Sequence, residues 1–131
     1  MPLEELTTYL LSLSGHEARR RMAAQVSLPE FALLAALNDS GPASQRSLGQ
    51  RLRKDPADMV RLVDAAESSG LVIRSADPSD RRRRLVTLTS AGSAALRAHM
   101  DAAREVQDEV LAALDADERQ ALHSLLLRLP R

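Results

Sequence analysis

The run Asp77-Pro78-Ser79-Asp80-Arg81-Arg82-Arg83-Arg84-Leu85-Val86-Thr87-Leu88 restricts the possible folds more than any other part of the chain. Asp-Pro opens a turn, because proline presets its own φ. Leu71-Val72-Ile73-Arg74-Ser75 reads as a strand before it, and residues 83–87 as an antiparallel partner after it, across a turn at 77–82. Four consecutive arginines then stand at the tip, and Thr89-Ser90-Ala91-Gly92 starts a helix. The segment is a basic β-hairpin that reaches outward, an arrangement suited to a polyanion.

Composition makes the remainder helical. Aromatic residues are 2% of the 131 residues and tryptophan is absent, so Leu, Ala, Val and Met must fill the interior, which suits packed helices better than a sandwich. With 44% hydrophobic and 27% charged residues, the chain reads as one soluble domain over residues 1–131. The lack of cysteine excludes disulfides, thiolate metal sites and thiol redox sensing. Glu4 and Glu5 stand where a signal peptide would be basic, and no apolar run approaches the roughly 18 residues that span a membrane. The expected location is the cytoplasm, with no membrane partner.

A formal net charge of +0 conceals an uneven distribution. Between Arg46 and Arg84 there are ten basic and six acidic residues, a local +4 that leaves −4 for the rest of the chain. Lys54 is the only lysine, and arginine, which carries all the other positive charge, has a planar fork that suits phosphate and guanine edges. A basic middle between acidic ends is the footprint of a domain that grips phosphate with one face.

Leu3, Leu6, Leu10 and Leu13 repeat at three- and four-residue steps, the seam of a helix that covers either a partner helix or its own core. Gly15 is expected to fray or bend that helix, and Arg19-Arg20-Arg21 to mark its polar end. Ser27-Leu28-Pro29-Glu30 restarts the chain as a helix, with Ser27 as cap, Glu30 closing a capping box, and Phe31, Leu34 and Leu37 as buried face; Asn38-Asp39-Ser40-Gly41-Pro42 stops it. A short helix over Gln45–Leu52 turns inward at Leu48 and Leu52. After Lys54, Asp55 caps a further helix that opens on Pro56, buries Met59, Leu62, Val63 and Ala66, and ends at Gly70. Its outward face is Ala57, Asp58, Val60, Arg61, Asp64 and Ala65.

Helix, turn, helix, hairpin describes a mainly α fold with a small β-hairpin wing, a winged helix-turn-helix. A long helix follows to about residue 114, with Leu96, Ala103, Val106 and Val110 as its apolar positions. Asp115 and Glu118 then form a second capping box before a last helix whose expected buried face is Leu122, Leu125, Leu126 and Leu129. The outer helices and the winged core are expected to form one continuous body.

Arg61-Leu62-Val63-Asp64, Glu67-Ser68-Ser69-Gly70-Leu71-Val72, the hairpin Asp77-Pro78-Ser79-Asp80-Arg81-Arg82 and Leu88-Thr89-Ser90-Ala91-Gly92 together resemble the MarR family of bacterial transcription regulators. The resemblance extends over nearly the whole chain. It implies a homodimer that acts as a repressor on double-stranded DNA, each winged part on one half of a pseudo-palindromic operator. The DNA-binding part would be about 28–89, flanked by N- and C-terminal dimerisation helices at about 3–26 and 90–130.

Residue roles follow from the resemblance and from periodicity together. The helix at 56–69 is the candidate recognition helix, with Ala57, Asp58, Val60 and Arg61 facing the groove. Arg61 is either a fork to guanine or phosphate, or a solvated arginine paired with Asp58 or Asp64. Arg81 and Arg82 resemble the wing arginines of the family, one entering the minor groove or lying along phosphates and the other held by Asp80, which braces the turn. Arg83 and Arg84 add to the positive field, and Arg46 and Lys54 lie where backbone phosphates run. Asp58 and Val60 depart from the small hydroxyl residues common in the family at these positions. A carboxylate there repels phosphate and can only accept hydrogen bonds, which restricts it to cytosine amino groups or to orienting Arg61.

The resemblance also implies a small aromatic or anionic ligand that releases DNA, for which Tyr9, His16, Arg20 and Phe31 are the candidate contacts. Tyr9 and Phe31 read equally as core or interface residues, and His16 as an exposed one. No catalytic residue, cofactor or metal site is expected: there is no glycine-rich phosphate loop or nucleophile motif, and His16, His99 and His123 lack a ligand spacing. The competing reading is a degenerate winged-helix module that binds protein and does not read DNA.

Overall fold

The structure, a computed structural model, describes residues 1–131. The chain divides into two compact units, Val26–Asp101 and a second made of Met1–Gln25 with Ala102–Arg131.

The winged unit is assembled from locally capped pieces. Helix α2 (Leu28–Ser40) starts at Ser27, whose Oγ accepts from the Glu30 N–H at 3.4 Å, and ends where Gly41 adopts φ 76°. The Glu30 carboxylate, expected to close a capping box, instead bonds His99 Nε2 at 2.8 Å. Ser44 caps α3 (Gln45–Leu52) through the Ser47 N–H at 3.1 Å. Asp55 caps α4 (Pro56–Ser68) through the Asp58 N–H at 2.8 Å, with Pro56 opening the first turn. A cap of this kind contributes about 1 kcal/mol. Gly70, at φ 76°, closes α4 as expected, and the Leu71 N–H reaches back to the Ala66 carbonyl at 2.9 Å.

Strands β2 (Val72–Asp77) and β3 (Asp80–Leu88) form the hairpin, and a two-residue strand β1 (Ala43–Ser44) joins β3 on its other side, giving the order β1-β3-β2. The turn is shorter than expected, Pro78 and Ser79 alone, so the four arginines lie within β3 and not at the tip. Ala76 faces Arg84 whereas Asp77 faces Asp80. Arg81, Arg82 and Arg83 therefore stand against a single backbone step of β2, a bulge that pushes them out of the ladder.

Helix α5 (Ser90–Val110) is locked to the hairpin at its first turn. Thr89 Oγ1 accepts from the Gly92 N–H at 3.0 Å and donates to the Gly70 carbonyl at 2.6 Å. A Cβ on Gly92 would lie 2.0 Å from the Leu71 carbonyl oxygen, so only glycine lets the helix approach this closely. Leu33, Leu34, Leu37, Leu48, Met59, Val63, Val72 and Val86 fill the core of the unit, each burial contributing about 1.5–3 kcal/mol. Phe31, expected in that core, is only partly buried at its edge.

The second unit holds a 3-10 turn (Leu3–Glu5), α1 (Thr7–Gln25), the end of α5, and α6 (Ala116–Leu127). Leu6 is extended, so the helix expected from Leu3 begins only at Thr7. Gly15 neither frays nor ends it, and there is open space where its side chain would be. Glu17 receives Arg20 and Arg21, each at 2.8 Å, and these two guanidinium groups, Arg20 first, hold its carboxyl down to about 2. The capping box of α6 forms as expected, with Asp115 accepting from the Glu118 N–H at 2.9 Å and Glu118 returning the contact at 3.0 Å. The face expected to be buried is not: Leu125, Leu126 and Leu129 are exposed, as are Leu3, Leu6, Leu10 and Leu13. Helical spacing puts these leucines on common faces, but no other part of the same chain covers them. No helix is long and apolar enough to cross a membrane.

Candidate nucleic-acid interface

On α4, Met59, Val63 and Ala66 are buried, which leaves Ala57, Val60, Arg61, Asp64 and Ala65 exposed on the opposite face and Asp58 half-buried. The Arg61 Nη2 is paired with Asp58 Oδ1, the second of the two alternatives for this arginine. Asp58 also carries the N–H that Asp55 caps, so the backbone beneath the pair is fixed.

The hairpin turn is held by its own acids. Asp77 is buried and accepts from the Ser79 Oγ at 2.7 Å and the Ser79 N–H at 2.9 Å. These contacts, the hydroxyl first, hold its carboxyl below the usual carboxylate range. Asp80 Oδ1 accepts from the Arg82 backbone N–H at 3.0 Å. Asp80 thus braces the main chain of the bulge, where the sequence suggested that it would hold an arginine side chain.

The bulge and α3 enclose a groove of about 810 Å³ whose lining includes Ser44, Arg46, Ser47, Arg82, Arg83 and Arg84. Arg46 also borders a hollow of about 420 Å³ with Lys54, floored by Gly49, Pro56 and Met59. The sequence-derived basic candidates Arg46, Lys54, Arg82 and Arg83 are therefore brought to adjoining concave surfaces, with Arg81 exposed on the same bulge.

Arg74 shows why the basic segment cannot be read from its charge alone. Its guanidinium pairs with Asp64 at 2.7 Å and Glu67 at 3.0 Å, and Nη2 donates to Gln45 Oε1 at 3.0 Å. Arg51 pairs with Asp39 at 3.6 Å. Arg74 is thus neutralised within the fold, Arg51 and Arg61 are paired with acids at the surface, and the remaining outward charge rests on Arg46, Arg53, Lys54 and the four arginines of β3. Sequence reasoning missed the role of Arg74, for which separation in the chain left no signal.

Of the proposed ligand contacts, Tyr9, His16 and Arg20 lie in α1, with Arg20 committed to Glu17 and His16 exposed. Phe31 lies in α2 and stacks against His99 with ring centroids 5.7 Å apart. The Glu30–His99 contact beside it joins residues 69 positions apart and was not foreseen.

A capped helix pair followed by a braced, arginine-bearing hairpin defines the winged helix-turn-helix class. Residues 26–83 match the MarR family. The chain is 36% identical over 105 residues to the HTH-type transcriptional repressor NicR of Pseudomonas putida, a match covering 80% of this chain and 66%, just under two thirds, of NicR. Among solved structures, Bordetella bronchiseptica BpsR, whose DNA binding is regulated by 6-hydroxynicotinic acid, superposes with a TM-score of 0.76 at 25% identity, covering 98% of this chain and 95% of that one. A variant of E. coli MarR complexed with operator DNA gives 0.69 at 26% identity, covering 99% and 95%. The chain belongs to the MarR family and is a winged-helix transcription regulator.

Proposed function

We propose that the protein is a homodimeric repressor that places one winged unit on each half of a pseudo-palindromic operator in double-stranded DNA. The observation that carries this reading is the bulge of Arg81, Arg82 and Arg83, ejected from the β2–β3 ladder, with Arg82 and Arg83 lining one groove with Arg46. A cationic surface braced through its backbone presents charge without the entropy cost of ordering a floppy loop. In this arrangement α4 lies in the major groove, with Ala57, Asp58, Val60 and Arg61 toward the bases. Arg81 and Arg82 reach the minor groove or its phosphates, and Arg46, Lys54 and Arg83 line the backbone.

The dimer is supported by the helical unit, in which Val106 is the only buried residue. Helices with so little interior need a second set to cover their leucines. A small aromatic or anionic ligand would release DNA, by analogy with BpsR, with Tyr9, His16, Arg20 and Phe31 as its proposed contacts. The protein works in the cytoplasm, without cofactor, as a regulator and not an enzyme.

The test is binding of the purified protein to DNA from upstream of its own gene, measured from low to physiological salt. Log affinity should fall linearly with log salt, and Arg81→Ala with Arg82→Ala, which removes two cations from each of the two protomers, should reduce the slope by about 4. A protein that shifts no such fragment at low salt, or a double variant indistinguishable from wild type, would rule the reading out.

A further inference from the structure

We propose that Asp58 and Arg61 act as one unit that selects a G·C pair, Arg61 donating to guanine O6 and N7 while Asp58 accepts from cytosine N4. The inference rests on the reading above, that α4 is the helix entering the major groove.

Two side chains one helical turn apart on the outward half of α4 present opposite hydrogen-bonding characters and are already joined. Arg61 spends only Nη2 on Asp58, which leaves Nη1 and Nε for a second acceptor. The pair also limits the rotamers of a long side chain, so less ordering remains to be done on binding. An exposed pair of this kind is weak, so it does not hold Arg61 back from a better acceptor.

The chemistry of the carboxylate restricts where the unit can dock. Next to a phosphate, Asp58 would meet like charge. Over an A·T pair it would meet thymine O4 and adenine N7, both acceptors, on either side of the adenine amino group. A G·C pair instead offers two acceptors on guanine beside one donor on cytosine, the complement of a guanidinium beside a carboxylate. Asp58 therefore lowers affinity for DNA in general and raises discrimination at one position. It is a specificity-determining residue, in the sense that selectivity comes from rejecting the wrong pair as well as binding the right one.

The experiment is selection from a random-sequence duplex pool with wild type, Asp58→Asn and Asp58→Ala, scored position by position. Wild type should prefer one G·C pair in each half-site by about tenfold or more over A·T. Asp58→Asn removes the charge and adds a donor at unchanged size, and should move the preference toward adenine, which an amide reads. Asp58→Ala should reduce the preference to about threefold or less while binding mixed-sequence DNA more tightly than wild type does. If both variants choose the wild-type pair with unchanged preference, Asp58 merely repels phosphate and the proposal fails. A wild-type protein that enriches no sequence at low salt overturns the functional reading itself, a different result from retained binding with unaltered preference.

Discussion

Arg74 on β2 and Glu67 on α4 hold each other twice, guanidinium to carboxylate at 3.0 Å and backbone N–H to the other carboxylate oxygen at 3.1 Å. With Asp64 and Gln45 on the same guanidinium, one side chain ties α4 to the wing and to α3. Arg74 is only 15% exposed, so removing its side chain would take the guanidinium donors from Asp64, Gln45 and one oxygen of Glu67, whose other oxygen keeps the backbone N–H. Arg74→Ala should cost about 1–3 kcal/mol of stability, read from the denaturant midpoint. It should also weaken operator binding at every position of the site, because the angle between helix and wing is no longer set. A variant with unchanged midpoint and affinity would show that the Arg74 contacts are decorative.

Gly92 carries a sharper steric demand. The added Cβ of Gly92→Ala would sit 2.0 Å from the Leu71 carbonyl oxygen and 2.7 Å from Leu88 Cδ1. Backbone cannot yield as a flexible side-chain end does, so α5 must move and the Thr89–Gly70 bond with it. Destabilisation of about 1–3 kcal/mol is expected. A thermal melt within a degree of wild type would refute the tight approach. Gly15→Ala, where nothing lies within 4 Å, is the control and should stabilise by about 0.4–1 kcal/mol.

The contrast between these glycines indicates what the sequence could convey. Features governed by a few consecutive residues were legible: the Asp55–Pro56 start, the Gly70 stop, the Asp115–Glu118 box and the Thr89 cap all stand where the residue types put them. Features governed by pairing between distant residues were not. Strand β1 is two residues long and has no period to detect, and the bulge depends on the register of β3 against β2. Glu30 had a local role available and took a distant one, because His99 offered a partly buried partner. The leucines of α6 were expected to be a buried face and are exposed, since helical spacing groups apolar residues without showing what packs on them.

Asp77 offers a pH test of the wing. Its carboxyl is held below its ordinary value by Ser79, so the unfolded chain takes up the proton first as pH falls. The stabilisation is complete above the unfolded value of about 4 and is lost as pH falls through the lower, folded value. A carboxyl NMR titration should give Asp77 a midpoint below that of an unstructured aspartate. Ser79→Ala, which removes the hydroxyl donor but keeps the N–H, should return it partway. Equal midpoints in the two proteins would contradict the assigned cause. DNA affinity should fall in Asp77→Ala without a change of salt slope, because the wing loosens but no cation is lost.

Exposed leucines on the helical unit allow the dimer to be tested without DNA as well as with it. Leu125 and Leu126 are 55% and 38% exposed in the single chain, where a charged replacement should change stability by less than about 0.5 kcal/mol. If a second copy covers them, the same replacement buries an unpaired carboxylate in an apolar interface and should be severe. Leu125→Glu combined with Leu126→Glu is therefore expected to shift the protein from dimer to monomer in sedimentation equilibrium. Helical content should fall as well, because a unit with Val106 as its only buried residue has little to hold α1 and α6 in place. Operator affinity should drop by about 100-fold or more as the second half-site becomes a separate binding event, while affinity for an isolated half-site changes little. A double variant that sediments as a dimer would place the interface elsewhere on the chain.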